Sequence, residues 1–380
     1  MRPAFRFWHR WFGILAGAWL ILLAVTGIAI TWYDELDRTL NPDLRSAPAA
    51  AVPPASLDAV VAAAEAALPG FAANNILLAQ RPGDTHWLLG RQSLADGSSR
   101  AMQVFADPGS GAIAGWRESG ALSLHRHNLP DLLYGLHTDI LAGEPGVVLV
   151  GLVGLAWLVD HLIALSLAFP RLRGAVRAFR ISGPGGSLRR AWDRHRAWGL
   201  WLWPVTLVLA VTGVTLTFGE ESRDIVRTVS PVGERLHYAM PERDPPANPV
   251  GIDRALAQVS PRFGSPYAVR PHADRGVYAV RTFDRRDMDN QGRLWTYVDM
   301  ASGTIVAQRH DRGESAGDAF FAWQYPLHSG HAFGLPGRLL ITLAGAVTLY
   351  LSWSGYRLWW RRRASAALRR PRARPAEAGR

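Results

Sequence analysis

The sequence predicts an α-helical integral membrane protein: a four-helix transmembrane bundle made from a duplicated unit, carrying two small α+β domains on one side of the bilayer. Three observations point there. Residues 11–33, 146–169, 197–218 and 339–356 are almost free of charge, Asp160 being the exception, and each is long enough to cross roughly 30 Å of hydrocarbon or nearly so. Basic residues crowd the ends of these blocks on alternate sides. Short motifs in the first half return in the second in the same order, at offsets of 186 and 191.

Taken in order, residues 1–10 hold Arg2, Arg6 and Arg10 and lead into the first span, 11–33. This block is too long for a secretory signal and ends in Trp32-Tyr33-Asp34-Glu35 rather than small residues, so it reads as an uncleaved anchor. Residues 34–145 form the first outer domain, 146–169 the second span, and 170–196 an Arg-rich connector. The third span, 197–218, a second outer domain, 219–338, the fourth span, 339–356, and an Arg-rich tail, 357–380, complete the chain.

The net charge of +11 is unevenly placed. The N-terminal segment, the connector and the tail hold 20 of the 42 basic residues and only Asp193 and Glu377 as acids, a sum of +18, which leaves −7 for the rest. That pattern places both termini and the connector in the cytosol of a bacterial inner membrane and the outer domains in the periplasm; it argues for a lipid bilayer and against nucleic acid as partner. With no cysteine, disulfides, iron-sulfur ligation and covalent haem attachment are excluded, and any metal must be held by His, carboxylate or carbonyl.

The duplication is explicit. His9-Arg10-Trp11-Phe12-Gly13 and Leu23-Ala24-Val25-Thr26-Gly27 match His195-Arg196-Ala197-Trp198-Gly199 and Leu209-Ala210-Val211-Thr212-Gly213 at an offset of 186. Leu136-His137 with Gly143 to Gly146 matches Leu327-His328 with Gly334 to Gly337 at an offset of 191. Each outer segment has a Pro-rich start (Pro48, Pro53, Pro54; Pro241, Pro245, Pro246, Pro249), an amphipathic helix (56–68; 251–260) and alternating strands that end in a hairpin turning at Asp107 or Asp299. Two domains of about 60 to 70 ordered residues are near the lower limit of independent stability and are expected to lean on each other.

His-Arg-x-x-Gly opening spans one and three, Thr-Gly inside them, Leu-His ahead of spans two and four, and the Asp-x-x-Ser-Gly hairpins together resemble the PepSY-associated transmembrane helix family over nearly the whole chain. The resemblance implies PepSY-type periplasmic domains on the membrane helices. Its siderophore-reductase-like branch implies non-covalent haem b, one or two per chain, and reduction of a ferric siderophore to release Fe(II).

Histidines near the spans are the candidate axial ligands: His9, His137, His161, His195, His328 and His331. His9 and His195 are repeat-equivalent at the cytosolic ends, and His137 and His328 at the outer ends; His161 lies deep in the second span, where a proton relay with Asp160 is the alternative. His331 shares a face with His328 if that stretch is helical. Pairing His137 with His328 and His9 with His195 is the simplest arrangement; His9 with His161 fits the depths equally well. Arg10 and Arg196 are candidates for haem propionates, against a role in topology and head-group contact. Glycines 13, 17, 27, 151, 154, 199, 213 and 345 serve either a flat macrocycle or close helix packing. His86, His237, His272 and His310 read as ordinary exposed residues, and His125 and His127 as membrane-proximal ones.

The chain has no nicotinamide fingerprint, since Gly183-Pro184-Gly185-Gly186 lacks a preceding strand, so electrons would come from quinol or a separate cytosolic reductase. Two other readings stay open: a non-redox PepSY protein that binds peptides or regulates a peptidase, and a transporter of protons or metal. Oligomeric state, histidine pairing and haem number are not fixed by the sequence.

Overall fold

The computed structural model describes residues 2–48, 54–169, 175–181 and 187–368. Pro53, the Gly183-Pro184-Gly185-Gly186 turn and the tail with Glu377 lie outside the described residues.

The first half runs α1 (Arg2–Leu15), α2 (Gly17–Thr31), α3 (Tyr33–Leu40), α4 (Pro42–Arg45), α5 (Leu57–Ala67), β1 (Phe71–Leu77), β2 (His86–Ser93), β3 (Ser99–Ala106), β4 (Ile113–Glu118), α6 (Leu129–Thr138) and α7 (Glu144–Ala168). After the short α8 (Ala175–Ala178), the second half repeats it: α9 (Ser187–Trp201), α10 (Trp203–Thr217), α11 (Gly219–Arg227), α12 (Leu236–Ala239), α13 (Ile252–Phe263), β5 (Pro266–His272), β6 (Val277–Thr282), β7 (Leu294–Asp299), β8 (Ile305–His310), α14 (Ala316–Ser329) and α15 (Gly334–Leu368).

The expected four-helix bundle with two small domains is not what the chain forms. Among the described residues only two continuous helices are long and apolar enough to cross a membrane, Glu144–Ala168 and the stretch His331–Ala364. The other two blocks are bent pairs, α1 with α2 at 56° and α9 with α10 at 62°, so four spans result only if each pair counts as one. The second break has a clear cause. Pro204 sits in the first turn of α10, where it has no N–H to give and its ring crowds the preceding turn. At the first break Gly17 packs against the Tyr356 ring, whose hydroxyl donates to the Ile14 carbonyl.

The helices keep the twofold relation of the repeat. α1 packs on α7 and α2 on α15, while α9 packs on α15 and α10 on α7. Each bent pair therefore bridges both long helices.

The two outer domains are likewise merged. All eight strands form one antiparallel sheet, ordered β4-β3-β2-β1-β5-β6-β7-β8. The seam is β1 against β5, where Ile76 pairs with Val269 and Leu77 with Ala268. Each four-stranded half offers an open edge at its first strand, and pairing those edges satisfies the backbone groups of both. Hydropathy alternation finds strands but says nothing of which edge another copy will cover.

One face of the sheet carries α5 and α13 in a single core: Leu57, Val60 and Ala64 meet Ile252, Ala255 and Val259 over Ile76, Leu88, Val104, Val269, Val280 and Val298. The two helices begin side by side and cap one another. The Asp253 carboxylate accepts from the Leu57 and Asp58 N–H groups at 3.0 Å each, and the Asp58 carboxylate accepts from Ile252 and Asp253 at 2.7 and 3.2 Å.

The opposite face is turned toward α3, α4, α6, α12 and α14. In the first half it is closed by ion pairs. Fully buried Asp37 accepts from Arg45 at 2.8 Å, Arg117 at 2.6 and 3.0 Å and Asn41 at 2.7 Å. The histidines expected on exposed surfaces are largely enclosed: His86, His237 and His310 are buried and His272 is half-buried. Burial pushes His86 and His237 down to about 4. They lie in or beside the sheet, where the apposition of two half-sheets and the membrane-side helices covers surfaces that an isolated small domain would leave open.

Candidate functional site

The helices bring four histidines together in two pairs. His9 on α1 and His195 on α9 have ring centres 6.3 Å apart, with planes at 69°. His137 on α6 and His328 on α14 have ring centres 6.1 Å apart, with planes at 56°. Each pair joins repeat-equivalent residues across the pseudo-twofold. His9 with His161 is not a pair in this arrangement.

Among the described residues, the hydrogen bonds of these four rings run through Nδ1. His9 Nδ1 lies 3.0 Å from both oxygens of buried Asp160, to which its N–H donates. His195 Nδ1 is 2.8 Å from Ser354 Oγ. His137 Nδ1 donates to the Leu23 carbonyl at 3.0 Å, with Thr26 Oγ1 at 3.1 Å, and His328 Nδ1 is 2.8 Å from Thr212 Oγ1. The three hydroxyls spend their own protons on carbonyls one turn back: Ser354 on Leu351, Thr26 on Leu22 and Thr212 on Val208. They must therefore accept from histidine, which places the proton on Nδ1 and leaves Nε2 as the basic nitrogen. A ring oriented through one nitrogen and basic at the other is how proteins prepare a metal-ligating histidine.

Local sequence explains the positions. Thr26 and Thr212 precede Gly27 and Gly213, and the imidazoles lie directly on those glycines. A Cβ on Gly27 would stand 2.9 Å from His137 Cε1, and one on Gly213 3.3 Å from His328 Cε1. The Leu-x-x-Thr-Gly run thus supplies the acceptors and the space for one ring. The repeated motif was visible in the sequence, but as a marker of duplication; its contact with a histidine more than a hundred residues away was not. Ser354 had no signal at all, because it corresponds to Asp160 by contact and not by the spacing of the repeat.

The remaining candidates are placed elsewhere. His161 is buried with both nitrogens engaged, Nδ1 with the Trp157 carbonyl at 2.8 Å and Nε2 with Thr206 Oγ1 at 3.0 Å. Asp160 is bound to His9, not to His161. His331 leaves the face of His328 because Gly330 turns left-handed, φ 79°, at the end of α14; it stacks on Tyr325 instead. Arg196 is occupied by Asp193 at 3.0 Å and the Ala178 carbonyl at 3.0 Å and lies over Trp192. Arg10 is exposed beside Phe7 and Trp11. His125 and His127 stack edge to face, with His127 Nε2 2.9 Å from Asp43.

Each pair offers two imidazoles, one from each of two helices. That number suits haem, whose macrocycle fills the other four positions of its iron, and falls short of the four ligands a structural zinc takes.

A curated relative, an uncharacterized protein of Pseudomonas aeruginosa, is 29% identical over 259 residues, 62% of this chain and 64% of its own length. The chain therefore spans just under two thirds of that relative. A family model described as the PepSY-associated TM region matches residues 6–362. With that match over nearly its whole length, and with apolar helices long enough to cross a bilayer, this chain is a membrane protein of the PepSY-associated transmembrane family.

Proposed function

We propose that the chain is a haem b oxidoreductase of the bacterial inner membrane, with its sheet domain in the periplasm, that passes electrons across the bilayer to a ferric chelate. The carrying observation is the spacing within the two histidine pairs. A haem held by two histidines would need imidazoles from two different helices close to one another, each free to ligate through one nitrogen. The pairs stand at 6.3 and 6.1 Å, with Nδ1 already committed to partners.

His9 and His195 would hold one haem and His137 and His328 the other. Haem supplies a one-electron couple. The chain's part is to fix the four rings, to keep the sites apart and to exclude water with the apolar faces of α2, α7, α10 and α15. Gly27, against which His137 rests, follows His9 by 18 residues, at most about 27 Å of helix before the bend is counted. Two sites so placed divide the bilayer into two shorter transfers.

A quinol donor would release two electrons and two protons, and two Fe(III) chelates would each take one electron. A ferric siderophore is the acceptor the family resemblance implies, since hard oxygen donors hold Fe(III) much better than Fe(II). The testing experiment is a dithionite-reduced minus oxidised spectrum of detergent-purified protein, with haem quantified as the pyridine haemochrome. A b-type α band with two haems per chain is expected; protein made with ample haem supply and found free of it would overturn the reading.

A further inference from the structure

The duplication gives the second half of the sheet an internal control. In the first half, the face turned to the membrane helices has Leu77 and Leu89 next to the Ile76–Leu88 pair. The matching positions beside the Val269–Val280 pair are Arg270 and Arg281. Two leucines have become two arginines on an interior face.

These arginines gather round one indole. The guanidinium carbons of Arg235, Arg281 and Arg270 lie 4.6, 5.1 and 5.4 Å from the Trp295 ring centre. Arg235 is paired with Asp311, 3.1 Å by two bonds, and the neighbouring Arg293 with Asp289 and Asp311. Arg281 donates only to the carbonyls of Gly292 and Gln291, at 2.9 and 2.6 Å, and Arg270 to Asn75 Oδ1 at 3.2 Å. Among the described residues no carboxylate pairs with Arg270 or Arg281. Four guanidinium groups thus face two carboxylates, a local excess of two positive charges. In the first half Arg45 and Arg117 face Asp34, Asp37 and Asp131, with no such excess among the described residues.

Arg281 is 8% exposed and Trp295 1%. Burial, with Arg293 and Arg270 alongside, pushes Arg281 down to about 10. Trp295 Nε1 and His272 Nε2 are buried without a hydrogen-bond partner among the described residues; Trp87 Nε1 in the first half is too, so the difference between the halves lies in the charge and not in the indole. Arg270 is half-buried and Arg281 buried; a buried cation without a paired carboxylate and an idle buried donor are each costly. The same missing partner, an anion, relieves both.

We propose that Arg270, Arg281 and the Trp295 N–H bind an oxyanion, a phosphate or carboxylate group, on the face of the sheet turned toward the membrane helices. The arginines supply charge-assisted hydrogen bonds and the indole a third donor. The group belongs either to the head of an anionic phospholipid or to a soluble oxyanion. The site requires no haem.

The test uses the full chain in detergent and follows its thermal midpoint against inorganic phosphate, with chloride holding ionic strength constant. Wild type should show a saturable rise, and Arg270→Gln and Arg281→Gln should each weaken half-saturation by about tenfold, the worth of one charged hydrogen bond. Any general stabilisation by phosphate is common to all variants and does not saturate. Arg281→Lys keeps the charge and should keep most of the response, and exposed Arg91→Gln should leave it unchanged. In nanodiscs, phosphatidylglycerol retained by wild type and not by the Arg→Gln variants in native mass spectra would identify the lipid source; a phosphate response without lipid retention would identify the soluble one. Equal phosphate responses and equal lipid retention in wild type and both Arg→Gln variants would overturn the proposal.

Discussion

His137 Cε1 lies 2.9 Å from where a Cβ on Gly27 would stand, whereas the equivalent separation from His328 to Gly213 is 3.3 Å. The first distance is one that real Cβ atoms do not adopt, and the second asks a neighbour to move by only a few tenths of an ångström. Gly27→Ala should therefore displace His137 and lower haem occupancy to about one per chain, while Gly213→Ala should keep nearly full occupancy with a small shift of the α band. Pyridine haemochrome quantitation of the two purified variants checks the difference.

The two histidine pairs act separately if they serve separate haems. His137→Ala or His328→Ala should remove one haem and leave one, as should His195→Ala. Combining His137→Ala with His328→Ala should remove no more than either alone, and combining His137→Ala with His195→Ala should remove both. Haem per polypeptide measured across the set decides it. His161→Ala, whose nitrogens are engaged by Trp157 and Thr206, should retain two haems and cost only stability.

Much of this site was legible beforehand, and the reasons differ residue by residue. His9, His137, His195 and His328 stood out because duplication preserved them beside matching neighbours. His331 was coupled to His328 by assuming a helix, and Gly330 breaks that helix. Asp160 could be read as a charge in an apolar run, but its partner His9 is 151 residues away and no local pattern links them. The single sheet was hidden for the same reason. Strand existence follows from alternation within a segment, while the β1–β5 seam depends on two edges finding each other across nearly two hundred residues.

The supports of the His9–His195 pair differ: His9 leans on a carboxylate and His195 on a hydroxyl. If the pair holds a haem as proposed, Asp160 behind His9 would make it the stronger electron donor of the two. Asp160→Asn should keep the hydrogen bond through Oδ1 and shift the reduction potential of one haem positive, leaving the other unchanged. A potentiometric titration that resolves two components measures this; equal displacement of both would place Asp160 away from a single site.

Asp37 is held by Arg45, Arg117 and Asn41 with no exposure of its own. Removing Arg117 leaves Arg45 to balance Asp34 and Asp37 alone and takes the cation from Asp131, so Arg117→Met should lower stability by about 3–5 kcal/mol. Arg117→Met combined with Asp37→Leu should recover part of the loss, because the buried charge is then gone. Thermal unfolding of the three proteins in one detergent gives the comparison.

Asp58 and Asp253 place two carboxylates at the joint start of α5 and α13. Burial and the neighbouring Asp253 raise the Asp58 pKa; for Asp253 burial is outweighed by bonds from Ser56 and the Asp58 and Leu57 N–H groups, and its pKa is lowered. The pair therefore takes up one proton before the other. A raised acid binds more protons folded than unfolded, so Asp58 makes stability rise as pH falls from neutral through its folded pKa. Asp253 acts oppositely: its contribution is present above its unfolded pKa and is lost as pH falls through the folded one. Asp58→Asn mimics the uncharged state, with Oδ1 accepting from the Ile252 N–H and the amide donating to the Asp253 carboxylate. It should remove the gain on mild acidification, and at pH 7 the relieved repulsion is set against the lost bond from the Asp253 N–H. Asp253→Ala strips the cap from α5 and should cost about 1–2 kcal/mol. Unfolding midpoints between pH 4 and 8 test both, and a wild-type profile that Asp58→Asn leaves unchanged would show that the pair shares no proton.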